Sequence, residues 1–263
     1  MRYGATNNPF QPLSREIRDL AGLGFDYVEL CLDPPRSRPE DLDPEAVRDQ
    51  AAAHGLGLDV AHLPTFVWIA DVYDAIRDAS VAETIKALEF VGRLGIPKAV
   101  LHPGYLTPPM RGRVEWGAER VGEAVARLID HADGLNVTLC LENLFHRAGH
   151  MDRPEDMVRI LDAFPTLMMT LDIGHAAIRA PRNRLFDMID RCAGRIAHVH
   201  VSDNNGQEDD HLPVGAGRVD VAGAVRELKR AGYDRTVTLE VFAPDRDYLK
   251  TSLIKVKAMH EEA

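Results

Sequence analysis

The chain has 263 residues, 45% hydrophobic and 27% charged, a composition that suits one ordinary globular domain with a substantial core. Its formal charge of −10, from 31 basic and 41 acidic residues, disfavours nucleic acid as a partner, because non-specific duplex binding is driven by basic surface. No apolar run approaches the ~18 residues of a membrane span. Residues 1–10 lack the basic start and apolar stretch of a secretory leader. The three cysteines, Cys31, Cys140 and Cys192, are too scattered for a disulfide framework or a thiolate zinc site, so a reduced, cytoplasmic setting is expected.

Short apolar segments at 3–6, 26–30, 58–62, 98–102, 137–142, 168–172, 196–201 and 236–241 predict strands. Between them, stretches such as 44–54, 76–94, 116–132, 154–164 and 221–231 carry apolar residues at three- and four-residue spacing and predict helices. The segments LAGLGFDYVEL, VGRLGIPKAVLHP and LKRAGYDRTVTLEV share one order: a helix end, a glycine, a short turn, and a strand finishing on Glu or His. AAAHGLGLDVAHLP and HADGLNVTLCLEN are variants of it. Eight strand–helix units filling residues 1–263 without a linker predict a single α/β domain, a closed (β/α)₈ TIM barrel. An open dinucleotide-binding sheet would need a GxGxxG after the first strand; the GAG at 215–217 follows the seventh and is a weak signal.

The longer connections, 63–74, 103–115 and 202–219, leave C-terminal strand ends, where barrel enzymes build their sites. Phe66, Trp68, Tyr105, Met110 and Trp116 lie on or beside them, either as pocket walls or as aromatic and apolar groups packed under a loop. Polar residues collect at the same level: His62, His102, Glu142, Asp172, His200 and Glu240 each sit at or next to the end of a different strand. Buried carboxylates at that level need a cation or a substrate, and imidazole with carboxylate is a ligand set for Zn²⁺ or Mn²⁺. His175, in LDIGH, adds a donor three residues after Asp172, and Asp209 with His211 adds a pair on the loop after strand seven. His198 shares the inward face with His200 one layer deeper and reads as hydrogen-bonded support. Glu29 either touches substrate or supports His62. His54 and His131 suit helix C-termini, and His146, His150 and His260 read as solvated.

LEN at 141–143, LDIGH at 171–175, HVHVSD at 198–203, HLPVGAG at 211–217 and LEV at 239–241 resemble the xylose-isomerase-like barrel superfamily along nearly the whole chain. That superfamily includes ketose 3-epimerases, inosose-processing enzymes and endonuclease IV. In its epimerases one metal ion is held by Glu, Asp, His and Glu from strands five to eight, positions that match Glu142, Asp172, His200 and Glu240. His175 matches a histidine that binds a substrate oxygen. The two glutamates flank the reacting carbon, so Glu142 and Glu240 are the implied catalytic pair. The epimerases carry an arginine six residues after the metal histidine, where this chain has Gly206. In endonuclease IV, which holds three zinc ions, the additional ligands match His62, His102, His175, Asp209 and His211.

The resulting expectation is an isomerase or epimerase of a sugar or polyol-derived ketone. It would use one divalent ion, Zn²⁺ or Mn²⁺, with up to three accommodated by the full ligand set, and an enediolate stabilised by Lewis acidity. Glu142 and Glu240 would exchange protons on opposite sides of the carbon. A dehydratase on the same site is a close variant, and a multi-zinc phosphoesterase is the alternative from another class. The expected partner is a small sugar-like molecule, with no membrane; homo-oligomeric assembly is compatible with the reading.

Overall fold

A computed structural model describes residues 1–107, 110, 112–181 and 183–263. Eight parallel strands close into a barrel in chain order: β1 (Arg2–Thr6), β2 (Tyr27–Cys31), β3 (Gly57–His62), β4 (Lys98–Leu101), β5 (Thr138–Glu142), β6 (Met168–Asp172), β7 (Ile196–Val201) and β8 (Thr236–Leu239). Around it lie α1 (Leu13–Leu23), α2 (Pro44–Ala53), α3 (Asp74–Leu94), α4 (Val114–Gly134), α5 (Pro154–Ala163), α6 (Ile173–Ala177), α7 (Arg184–Cys192), α8 (Val221–Arg230) and α9 (Arg246–Glu262). The expected strands are all present; β6 and β7 keep the expected bounds and the others shift by one or two residues at an end. The largest shift is at β8, which stops at Leu239, two residues short of the predicted 241.

The repeated order of helix, glycine, turn and strand has a backbone cause. Gly24 after α1 and Gly95 after α3 take left-handed conformations, φ 88 and φ 73, and their N–H groups close the helix ends. HADGLNVTLCLEN departs from the pattern. There Gly134 is the last residue of α4 and Asn136 takes the left-handed position, φ 56, which asparagine tolerates better than other side chains with a β-carbon.

The main core lies between the strands and the helices, where residues such as Ile17, Leu20, Leu30, Phe90, Leu141 and Val199 are buried. Inside the barrel, Tyr27, Val60 and Val100 form a small separate apolar group. The Tyr27 hydroxyl lies 2.8 Å from Thr238 Oγ1, tying β2 to β8 across β1. Gly4 on β1 makes room for that ring, since a β-carbon there would overlap the Tyr27 edge. Gly4→Ala is therefore expected to destabilise the fold by about 1–3 kcal/mol, measurable as a lower urea midpoint with an unchanged slope. A neutral result would show that Tyr27 can move aside. Among the described residues no helix is long and apolar enough to cross a membrane.

Candidate active site

Strand register brings four donors to one rim. Glu142 and Asp172 end β5 and β6, His200 is the next-to-last residue of β7, and Glu240 directly follows β8. Asp172 pairs with His200, and His200 with Thr238, two residues before Glu240, so strand alternation turns Glu240 to the same side. One donor atom from each of Glu142, Asp172, His200 and Glu240 lies within 4.8 Å of the others, and all four residues are buried. His200 Nδ1 is 3.0 Å from Glu142 Oε1, 3.6 Å from Glu240 Oε2 and 3.9 Å from Asp172 Oδ2.

The electrostatics of this group suit a divalent cation. Three carboxylates are buried side by side, and Glu142 Oε2 and Asp172 Oδ2 are buried without a hydrogen bond. Orphaned buried carboxylate oxygens are costly unless something positive meets them. Burial pushes the Asp172 carboxyl up to about 7, and the charges of Glu142 and Glu240 add to this against the pull of His175. Burial also opposes charge on Glu142, yet the imidazole of His200, with His62 and His175, holds it well below the usual range. The donors present could therefore hold a metal ion.

The other expected site residues surround this group. His62 Nε2 is 3.5 Å from Glu142 Oε2, and its ring stacks on His200 at 5.8 Å. Burial opposes its charging, but Glu142 outweighs that and lifts His62 to about 9. Asp209 Oδ2 sits between His175 Nε2 at 3.2 Å and His211 Nε2 at 3.0 Å, forming a second cluster on the loop after β7. Burial would lower His211, but Asp209 carries it up to about 9. His102 is apart from both clusters. It accepts a long hydrogen bond from the Gly104 N–H, 3.3 Å, and burial pushes it down to about 3.

Three residues that support the site were read incompletely or wrongly from sequence. Glu29 does not contact His62 as one alternative held, and it is fully buried away from the cavity lining; its two oxygens take His198 Nε2 at 2.8 Å and His200 Nε2 at 2.9 Å. Asp203, from the HVHVSD segment, accepts from the backbone N–H groups of Gly215 and Gly217 at 2.9 Å and Val219 at 3.0 Å. That carboxylate folds the long β7–α8 loop back on itself, and Gly217 is needed because a β-carbon would collide with the Asn204 carbonyl. His150 is not solvated. It is buried, with Nε2 2.8 Å from the Gly104 carbonyl oxygen, and it bolts the β5–α5 loop to the β4–α4 loop.

Above the four donors opens a cavity of about 740 Å³, lined by residues that include His62, His102, Tyr105, Glu142, His175 and Glu240. Phe66 and Tyr105 line it, as one reading of the loop aromatics held. Trp68 is largely exposed, and Trp116 and Met110 pack against the core. Phe145, Phe10 and Phe242 escaped the sequence reading. Phe145 lies 5.0 Å from the His175 ring, and Phe10 and Phe242 line the cavity mouth.

Comparison with known proteins bears directly on this arrangement. The family described as xylose isomerase-like TIM barrel matches residues 17–259. The chain belongs to the xylose isomerase-like TIM barrel family. It is 23% identical to a fructoselysine 3-epimerase of Escherichia coli O157:H7, over 95% of this chain and 94% of the relative. It is 28% identical to a probable endonuclease 4 of Methanoculleus marisnigri, over 79% of this chain and 80% of the relative. The crystal structure of a D-tagatose 3-epimerase-like protein superposes with a TM-score of 0.86 at 23% identity, covering 100% of this chain and 98% of that one. The xylose isomerase-like barrel thus supplies the closed eight-stranded scaffold expected from sequence, and it has relatives named for both of the chemistries considered.

Proposed function

We propose that the chain is a divalent-metal-dependent epimerase or isomerase of a sugar or polyol-derived ketone. The observation that carries this reading is the buried group of Glu142, Asp172, His200 and Glu240, whose two glutamates line the cavity. Alignment with a fructoselysine 3-epimerase along nearly the whole chain supports it. Zn²⁺ or Mn²⁺ suits this mixed imidazole and carboxylate set. One ion per chain is the expected stoichiometry, because a single four-donor group lies among the described residues. Bound there, the cation supplies Lewis acidity that stabilises negative charge on substrate oxygens.

The side chains account for the rest. Glu142 and Glu240 come from β5 and β8, strands separated by two others, so they approach the barrel axis from different directions. One carboxylate removes the proton from the carbon beside the carbonyl, and the other returns a proton to the opposite face. His175 lines the cavity with Nδ1 held by Asn143 O at 3.0 Å, and its Nε2, paired with Asp209 at 3.2 Å, would exchange that carboxylate for a substrate oxygen. Loss of a neighbouring hydroxyl from the same carbanionic species makes a dehydratase the closest variant. A small soluble substrate and a cytoplasmic setting belong to the same proposal.

The cluster of His175, Asp209 and His211, with His62 beside Glu142, favours a second reading as a multi-zinc phosphoesterase. There Glu142 would serve as a metal ligand and carry no proton. The endonuclease 4 relative supports it, and the net charge of −10 opposes a duplex substrate. Elemental analysis of metal-reconstituted protein separates the two. One ion per chain, with epimerised product from a ketose panel, agrees with the first reading. Three zinc ions with phosphodiester cleavage and no sugar turnover would replace it with the second.

A further inference from the structure

A line of buried polar side chains runs down the barrel interior from the four-donor group. His200 Nε2 lies 2.9 Å from Glu29 Oε1, and Glu29 Oε2 lies 2.8 Å from His198 Nε2. His198 Nδ1 lies 2.9 Å from Thr236 Oγ1, which in turn accepts from Lys98 Nζ at 2.7 Å. Glu29, His198 and His200 have no exposed surface, and Thr236 is buried. Barrel interiors are ordinarily filled by branched apolar side chains. Burying a carboxylate, two imidazoles and an ammonium-bearing stem in their place is costly unless every group is paired. Here every one is, which points to a task that apolar packing could not perform.

The two kinds of charged group fix the direction of the line. An ammonium only donates, so Thr236 Oγ1 accepts from Lys98 and keeps its own hydrogen free for His198 Nδ1. An ionised carboxylate only accepts, so each Glu29 oxygen receives an N–H, one from His198 and one from His200. Both imidazoles must then carry their hydrogen on Nε2. Nδ1 of His200, which without a metal donates its hydrogen to Glu142 at 3.0 Å, is then the nitrogen whose hydrogen a cation would displace, freeing a lone pair that faces Glu142, Glu240 and Asp172. The opposite tautomer would place an N–H where a cation belongs.

We propose that Glu29 is a positioning residue that holds His200 in the Nε2–H tautomer, with Nδ1 presented to the cation, and that His198, Thr236 and Lys98 fix Glu29 in turn. This rests on the metal-dependent reading above. A carboxylate behind a ligand histidine fixes the ring's orientation and raises its basicity, and loss of such a partner typically lowers metal affinity about 10- to 100-fold. The Glu29 carboxylate is shared with His198, so it cannot rotate away without breaking a second buried hydrogen bond. The β2 strand therefore supports a four-donor group whose members come from β5, β6, β7 and the residue after β8.

Two measurements test this. Chelator competition on the Glu29→Gln protein should show zinc affinity about 10- to 100-fold weaker than wild type, with Glu29→Asp recovering part of the loss. Long-range ¹H–¹⁵N spectra of the wild-type protein should show His198 with its hydrogen on Nε2, and His200 likewise once zinc is bound. A His198 hydrogen on Nδ1 reverses the line and overturns the inference, and this measurement needs no variant to fold. Unchanged zinc affinity in Glu29→Gln, beside a wild type that binds zinc, also overturns it. A wild type that takes up no divalent ion sinks the metal-dependent reading itself, a different result from either of these.

Discussion

Glu240→Gln is expected to lower turnover about 10²- to 10⁴-fold, the range for removal of a positioned acid–base group. The amide keeps the shape of the side chain and one oxygen that can meet a cation, but it cannot take a proton from carbon. The Glu240 contacts that shape the site are few. Thr6 Oγ1 donates to Oε1 at 3.4 Å, and the Glu240 backbone carbonyl holds His211 Nδ1 at 3.0 Å. The second of these survives any side-chain change, so the fall should appear in kcat per bound metal ion, with the fold intact. Turnover within a factor of a few of wild type would remove Glu240 from the proton-transfer role.

Asp172→Asn is expected to abolish stoichiometric metal uptake while leaving the metal-free fold nearly as stable as wild type. Both halves follow from the same environment. Burial pushes Asp172 up to about 7 without a cation, so its neutral form is already close in energy at neutral pH, and asparagine mimics that form. The Asp172 Oδ1 that accepts from the His175 backbone N–H at 2.6 Å has a counterpart in the amide oxygen. With a cation present the carboxylate's full charge is wanted, and the amide cannot supply it. Glu142→Gln should also strip the metal but cost the metal-free fold more, because Glu142 pairs with His200 at 3.0 Å and faces His62 at 3.5 Å. Elemental analysis and thermal denaturation of both variants check this pair of results. Full occupancy in either variant counts against the four-donor site.

The metal-free protein should lose stability as the pH is raised. His62 and His211 stand at about 9 in the folded chain against an ordinary value of 6.5. Histidines raised in this way stabilise the fold fully below the unfolded value and lose that contribution as pH climbs through the folded one. The loss therefore falls between pH ~6.5 and ~9 and is on the order of 3 kcal/mol for each ring at most. A cation beside Glu142 draws His62 back toward its ordinary range, so metal loading should flatten its share. Denaturant titrations at pH 7 and 9.5, with and without zinc, read the difference.

Much of this architecture is legible in the sequence because it depends on local order. Each strand is a short apolar run, each helix repeats at three and four residues, and the donors sit at the strand ends, so the sequence alone puts His62, His102, Glu142, Asp172, His200 and Glu240 at one rim. What escaped depends on closure of the barrel. In YVELC the alternation shows only that Glu29 shares a face with Tyr27 and Cys31. That it meets two β7 histidines follows from the curvature that brings β2 and β7 together past β1 and β8. His150 was misread for the converse reason. It lies in a polar loop, and only the packing of one loop on another buries it against Gly104. The Asp203 contacts skip 12 to 16 residues, a span over which neither helical nor strand periodicity carries information.

The central claim is proton exchange at a carbon beside a carbonyl, and incubation in D₂O tests it most directly. Metal-reconstituted protein, mixed with a panel of ketoses and cyclic polyol ketones, should place one deuterium on the carbon adjacent to the carbonyl of its substrate, read by NMR and mass spectrometry. Glu240→Gln should place almost none under the same conditions. No deuterium in any member of the panel, from protein that carries its metal and cleaves phosphodiesters, would contradict the account and the roles given to Glu142 and Glu240.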